Sequence, residues 1–187
     1  MIIVINYSNT NELIKNYLKT NNKSLVEVYK TKKNESQGKK LNFKSKKCNK
    51  KVIQYIFNYL KKNNIPFKDI KHSIELIEII KNNEKVHGII ISGSDLRFGL
   101  NEIPYHLILP GLLAVNYYKG KIPIFGICFG FQLINKYFGG EIVKTKNYTN
   151  IKYRVEFLEH GHFFKKTHNG IFYFYNNDKV SKLGKGF

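Results

Sequence analysis

Apolar positions fall into short unbroken runs separated by amphipathic stretches. The chain opens with Ile2-Ile3-Val4-Ile5, a continuous apolar run that predicts a strand buried on both faces. Asn9 and Asn11 offer caps for a helix with Leu13, Ile14, Tyr17 and Leu18 along one side. Leu25 to Tyr29 then reads as a second strand. Residues 30 to 51 hold ten Lys and one Glu with almost nothing apolar beyond Leu41 and Phe43, which predicts a basic, exposed and mobile insertion. It reads either as a polyanion-binding arm or as a solvated loop.

Periodicity resumes with a helix over about Val52 to Lys62, closed by Asn63, Asn64 and Pro66, and a second helix over Ser73 to Lys81. Gly88-Ile89-Ile90-Ile91 is another buried-strand run and stops abruptly at Ser92-Gly93-Ser94-Asp95. A loop containing Pro104 and Pro110 leads to a helix over Leu112 to Tyr118. The strand Ile122 to Ile127 follows, and Phe131 to Phe138 forms a helix that Gly139-Gly140 terminates. Strands that are apolar throughout, alternating with helices, predict an α/β fold: a doubly wound, mostly parallel sheet covered on both faces. Beyond Glu141 the pattern changes to Tyr153–Phe157 and Ile171–Tyr175, read as shorter, antiparallel strands. One domain over 1–187 is expected.

Composition changes this picture little. The formal net charge is +19, which by itself points to nucleic acid or an acidic surface. Yet 30 of the 32 basic residues are Lys, with only Arg97 and Arg154 besides, and Lys, Asn and Ile, all encoded by AT-rich codons, dominate the chain. Arg is the residue that bidentate phosphate and guanine contacts favour, so the charge reads mainly as coding bias. Two cysteines 80 positions apart, Cys48 and Cys128, give no disulfide framework and no Cys/His metal cluster. No signal peptide leads the chain and no apolar run would span a bilayer, so a cytoplasmic, reducing location is expected. Neither G-x-G-x-x-G nor a P-loop lysine motif occurs, and no cofactor or metal is expected.

The segment with chemical content is Gly126-Ile127-Cys128-Phe129-Gly130-Phe131-Gln132, between a buried strand and a helix. A nucleophile on such a sharp turn projects above the sheet, and the N–H groups that open the helix can stabilise an oxyanion. The turn is crowded, so the residues two before and two after the nucleophile must be small; Gly126 and Gly130 stand there. A helix N-terminus also favours the thiolate. The alternative is that Cys128 is a small core residue.

These residues resemble the signature of the class I glutamine amidotransferases, a strand followed by G-x-C-x-G-x-Q and a helix ending in Gly-Gly. The likeness runs from Pro123 to Leu133 and on through Phe138-Gly139-Gly140-Glu141. Gly88 to Ser94 is similar to the family's loop after the third strand, and Asp178 to Phe187 to its D-x-V-x-x-L-P-x-G-F segment. The resemblance implies a flavodoxin-like fold and a Cys128 that attacks the side-chain amide of glutamine, forming a γ-glutamyl thioester and releasing ammonia. It implies that the backbone N–H groups of Phe129 and Ser94 hold the oxyanion, that Gln132 and the Gly93 loop help hold substrate, and that a separate synthetase chain receives the ammonia. Ser94 replaces a usual glycine, which leaves the backbone donor but would be uncomfortable at φ > 0.

The family's base and its orienting carboxylate lie in a His-x-Glu that follows the G-F segment. None occurs in the 59 residues after Cys128, so an incomplete C-terminal part and impaired turnover are expected. His160, His162 and His168 read as a substitute base or metal pair, or as surface loop residues. Asp95, Arg97 and Glu102 read as loop salt bridges. The alternatives to an active glutaminase are a non-catalytic or truncated relative acting as a binding module and, more weakly, a lysine-rich nucleic-acid-binding protein built on residues 30 to 51.

Overall fold

The computed structural model describes residues 1–9, 44–98, 103, 105–155 and 170–186. Strands β1 (Ile2–Ile5), β2 (Phe67–Ile70), β3 (Gly88–Ile91) and β4 (Ile124–Gly126) form a parallel sheet in the order β2-β1-β3-β4. The register sets Ile2 beside Phe67 and Gly88, and Ile5 beside Ile70 and Ile91. Because successive side chains point to opposite faces, each apolar run supplies two cores at once. Ile3, Ile5, Ile89 and Ile91 meet α2 (Ser73–Lys81), α3 (Tyr105–Tyr118) and α4 (Phe129–Tyr137) through Leu76, Ile79, Ala114, Val115 and Leu133. Ile2, Val4 and Ile90 meet α1 (Lys44–Lys62) through Ile53, Ile56, Phe57 and Leu60. Helices on both faces and this strand order make the α/β fold doubly wound and flavodoxin-like.

The helix read from Val52 begins at Lys44, so the last eight residues of the basic 30–51 stretch are helical. Lys is a good helix former, and the stripe from Ile53 to Leu60 anchors the helix on the sheet. The rest of that stretch, the helix near Leu13 and the strand at Leu25–Tyr29 lie outside the described residues. β1 lies between β3 and β2, and β2, at the edge of the described sheet, has Lys68 and Asp69 at its centre, which hides it from an apolar-run reading. Backbone bonds from Ile2 N–H to Pro66 O and from Asn6 N–H to Ile70 O, both 2.8 Å, secure it.

Pro110, read as a loop residue, lies inside α3. A proline there removes a helical donor and displaces the local hydrogen bonding. Tyr7 repairs the gap: its hydroxyl accepts from Gly111 N–H at 2.8 Å and donates to Ile108 O at 3.1 Å. β4 is shorter than the apolar run Ile122 to Ile127, and α4 starts two residues before Phe131. The two later strands are antiparallel as read but longer: β5 (Glu141–Val155) pairs with β6 (Gly170–Lys182), with a register shift between Lys144 and Thr149. Asn135, fully buried on α4, ties the end of this ribbon down by donating to Lys182 O at 3.1 Å and accepting from Gly184 N–H at 2.8 Å.

Candidate active site

The turn from β4 into α4 is held in one unusual conformation. Cys128 sits at φ 52°, ψ −106°, a sparsely populated combination for any side-chain-bearing residue. The other described non-glycine residues at positive φ, Asn64 and Asn83, follow helix ends, where Asn is well tolerated. Backbone bonds fix the turn: Ile127 N–H to Ile91 O at 2.9 Å, Gly130 N–H to Ile127 O at 2.9 Å and Gln132 N–H to Cys128 O at 3.1 Å. Both flanking glycines are sterically required. A methyl at Gly126 would lie 2.5 Å from Phe131 N, and one at Gly130 would run into the carbonyl of Ile91. The Cys128 side chain is left exposed at the sheet's C-terminal edge, while Phe129 beside it is buried.

The loop after β3 is built to meet this turn. Ser92 N–H donates to Ile5 O at 3.0 Å, and the buried Ser92 hydroxyl accepts from Tyr7 N–H at 2.7 Å and donates to Gly93 O at 3.1 Å. A methyl at Gly93 would lie 3.5 Å from Cys128 Cβ, so loop and elbow are in contact. Ser94 is not among the positive-φ residues, which removes the strain expected of a side chain in a glycine's place; its hydroxyl accepts from Leu96 N–H at 3.1 Å. α1 reaches the same loop: Asn49 Nδ2 donates to Asp95 Oδ1 at 3.4 Å, and Asn49 Oδ1 would be 2.7 Å from a methyl at Gly93.

Beneath the elbow, Phe129 is fixed by two rings, Tyr7 edge-on at 5.4 Å and Phe98 stacked at 5.1 Å. Burial pushes the Tyr7 phenol well above its usual range, so it stays a neutral hydrogen-bonding group. Gln132 Nε2 donates to Asp178 O on β6 at 3.3 Å, and Arg97 Nη2 pairs with Asp178 Oδ1 at 3.0 Å.

Cys128, Phe129, Gly93, Ser94, Gln132, Gly126 and Gly130 thus share one region at the ends of β3 and β4. Arg97 is a loop salt bridge as read. His160, His162, His168 and Glu102 lie outside the described residues. Sequence reasoning missed Tyr7, Asn49 and Asp178 as supports. Tyr7 ends an apolar run, and Asn49 is hidden in a charge run. Asp178 could be paired with Arg97 only through the fold. Among the described residues no group of three His, Cys, Asp or Glu could hold a metal ion, and no helix is long and apolar enough to cross a membrane.

The family model for class-I glutamine amidotransferases matches residues 46–187. The chain belongs to that family. This amidotransferase domain is 36% identical over 121 residues to a glutamine-hydrolysing GMP synthase subunit of Methanococcus aeolicus, covering 64% of this chain and 52% of the relative. The corresponding subunit of Methanococcus vannielii is 34% identical over 108 residues, 56% of this chain and 51% of that protein. A shorter stretch of 35 residues, 19% of this chain and 18% of the relative, is 49% identical to the aminodeoxychorismate/anthranilate synthase component 2 of Bacillus subtilis. The domain therefore spans about half the length of the Methanococcus relatives it matches.

Proposed function

We propose that this amidotransferase domain hydrolyses glutamine to glutamate and ammonia through a thioester on Cys128, and that the ammonia passes to a separate synthetase chain making GMP. The observation that carries the chemistry is the strained Cys128 backbone, held by two obligatory glycines against the Gly93 loop. Strain of this kind persists where the surroundings over-determine it, and nucleophile positions are a known home for it. The partner rests on the Methanococcus relatives, whose name denotes one part of a divided GMP synthase.

In this reading the Cys128 thiolate adds to the side-chain amide carbon of glutamine. The carbonyl oxygen becomes an oxyanion received by the N–H groups of Phe129 and Ser94. Collapse of the tetrahedral adduct breaks the carbon–nitrogen bond; the leaving amine takes up, through water, the proton that the thiol gave up and departs as ammonia, and a water molecule then cleaves the thioester to glutamate and restores the Cys128 thiol. Gln132 takes part through the wall it forms with Asp178 beside the elbow.

The test is to treat the chain with a diazoketone analogue of glutamine and map the adduct by peptide mass spectrometry. Selective modification of Cys128 over Cys48, suppressed by glutamine, is expected. Labelling that ignores glutamine or favours Cys48 would overturn the reading. Glutamine-dependent ammonia release that vanishes in Cys128→Ala separates the enzyme from a glutamine-binding module.

A further inference from the structure

We propose that the buried Arg97–Asp178 ion pair is a positioning device that holds the Gly93–Ser94 loop in register with the Cys128 elbow. This rests on the glutaminase reading and adds to it two residues with a stated task. Arg97 lies three positions after Ser94 in a loop without regular structure. Asp178 lies 81 positions further on, in the β-ribbon. Asp178 joins two elements: its carboxylate accepts from Arg97 at 3.0 Å, and its backbone carbonyl accepts from Gln132 Nε2 of α4 at 3.3 Å. One residue of β6 therefore fastens the loop that carries Ser94 to the helix that carries Phe129.

The pair is an expensive way to fasten them if stability were the whole purpose. The Asp178 and Arg97 side chains are only 3% and 13% exposed, and removing two charges from water often costs as much as their attraction returns. What a guanidinium–carboxylate contact supplies over an apolar one is direction, because the N–H of Nη2 must point at the carboxylate oxygen to make it. The residue choice points the same way. In a chain with 30 Lys and two Arg, the default cation is Lys, and an Arg stands at this buried contact. The loop is also tied by the Ser92 hydroxyl to Tyr7 N–H, by Asn49 to Asp95 and by Phe98 stacked on Phe129, and Arg97–Asp178 is the tether that runs to the β-ribbon. An oxyanion donor on a loop needs such tethers, since its value depends on placement to a fraction of an ångström.

The experiment uses the full chain as wild type, Asp178→Asn, Arg97→Met and Arg97→Lys. Cys128 labelling is followed with the diazoketone glutamine analogue, whose ketone oxygen uses the oxyanion donors, and with iodoacetamide, which needs only the thiolate. Asp178→Asn and Arg97→Met should slow the analogue at least tenfold while iodoacetamide changes less than threefold, with Arg97→Lys intermediate. Amide hydrogen exchange is read in parallel: Gly93 to Leu96 should exchange at least tenfold faster in both variants, with Ile89 to Ile91 unchanged. Equal losses with both reagents, or unchanged exchange in the loop, would overturn the positioning role. A wild type that the analogue fails to label selectively at Cys128 sinks the glutaminase reading instead, and loop exchange still decides the tether. Should Asp178→Asn not fold, Arg97→Met carries the same comparison.

Discussion

The described cover of the two faces of the sheet starts from the same strands and differs from one face to the other. On one, Ile3, Ile5, Ile89 and Ile91 are covered by α2, α3 and α4, and the core runs continuously from Leu76 to Phe129 beneath the elbow. On the other, α1 is the only described helix, its buried core is Val4, Ile53 and Leu60, and Phe125, in register with Ile90, is 58% exposed. The strained Cys128 turn draws its rigidity from the first face. Phe129 is gripped by Tyr7 and Phe98, and Gly130 is pressed on the end of β3. The second face reaches the site through Asn49 alone among its described contacts. Among the described residues the first face supplies the packing that fixes the elbow, and the second is represented at the site by Asn49.

The contrast is most exposed to failure at the elbow. In Gly130→Ala the added methyl meets the Ile91 backbone, which cannot step aside without disturbing the β3–β4 pairing. Destabilisation above about 4 kcal/mol is expected, seen as loss of soluble protein or of the cooperative urea transition. A variant that unfolds at the wild-type urea concentration would show that the face covered by α2, α3 and α4 does not lock the turn.

Cavity mutations compare the layers directly. Leu76→Ala, at a residue fully enclosed in the three-helix core, should cost about 4 kcal/mol, and Ile53→Ala, at a residue that keeps 5% of its surface exposed, about 2 kcal/mol, because a site open on one side collapses more readily on the gap. Equal shifts in urea midpoint would erase the distinction. One step smaller, Tyr7→Phe keeps the ring against Phe129 but removes the hydroxyl that serves Gly111 N–H and Ile108 O around Pro110. About 1 to 2 kcal/mol should be lost, with hydrogen exchange accelerated near Gly111.

The same contrast explains what could be read in advance. β1, β3 and β4 are continuous apolar runs, and α2 and α4 carry caps or glycine stops, so the parallel sheet, its helical cover and the elbow were readable from local pattern. Gly126 and Gly130 announced a crowded turn because only two missing side chains relieve it. β2 failed because an edge strand tolerates Lys68 and Asp69 at its centre, and the start of α1 failed because lysines are equally at home in helix and loop. Pro110 misled because the partner that excuses it, Tyr7, is 103 positions away in sequence. Arg97 was legible as a loop salt bridge and Asp178 as the start of a family-like segment, with nothing local to join them. Only the ribbon's return path makes them a pair.

The smallest effect expected lies in the pH dependence of the face covered by α2, α3 and α4. His106, in the first turn of α3, has its pKa lowered from 6.5 by burial, so the folded state favours the neutral ring. Between that lowered value and 6.5 the unfolded chain binds more protons than the folded one, and protonation therefore pulls toward unfolding. The stability tied to this group is complete above pH 6.5, falls as pH drops below it, and levels off once the folded ring is also protonated. His106→Gln removes the titration. Its unfolding free energy should fall less steeply than that of wild type on acidification below pH 6.5, and the two should run parallel above it, because the carboxylates contribute alike to both. Urea titrations at closely spaced pH values read the difference in slope. Parallel curves across the whole range would mean that the first turn of α3 is as open to water as the exposed side of α1, and that the dry layer begins only beyond His106.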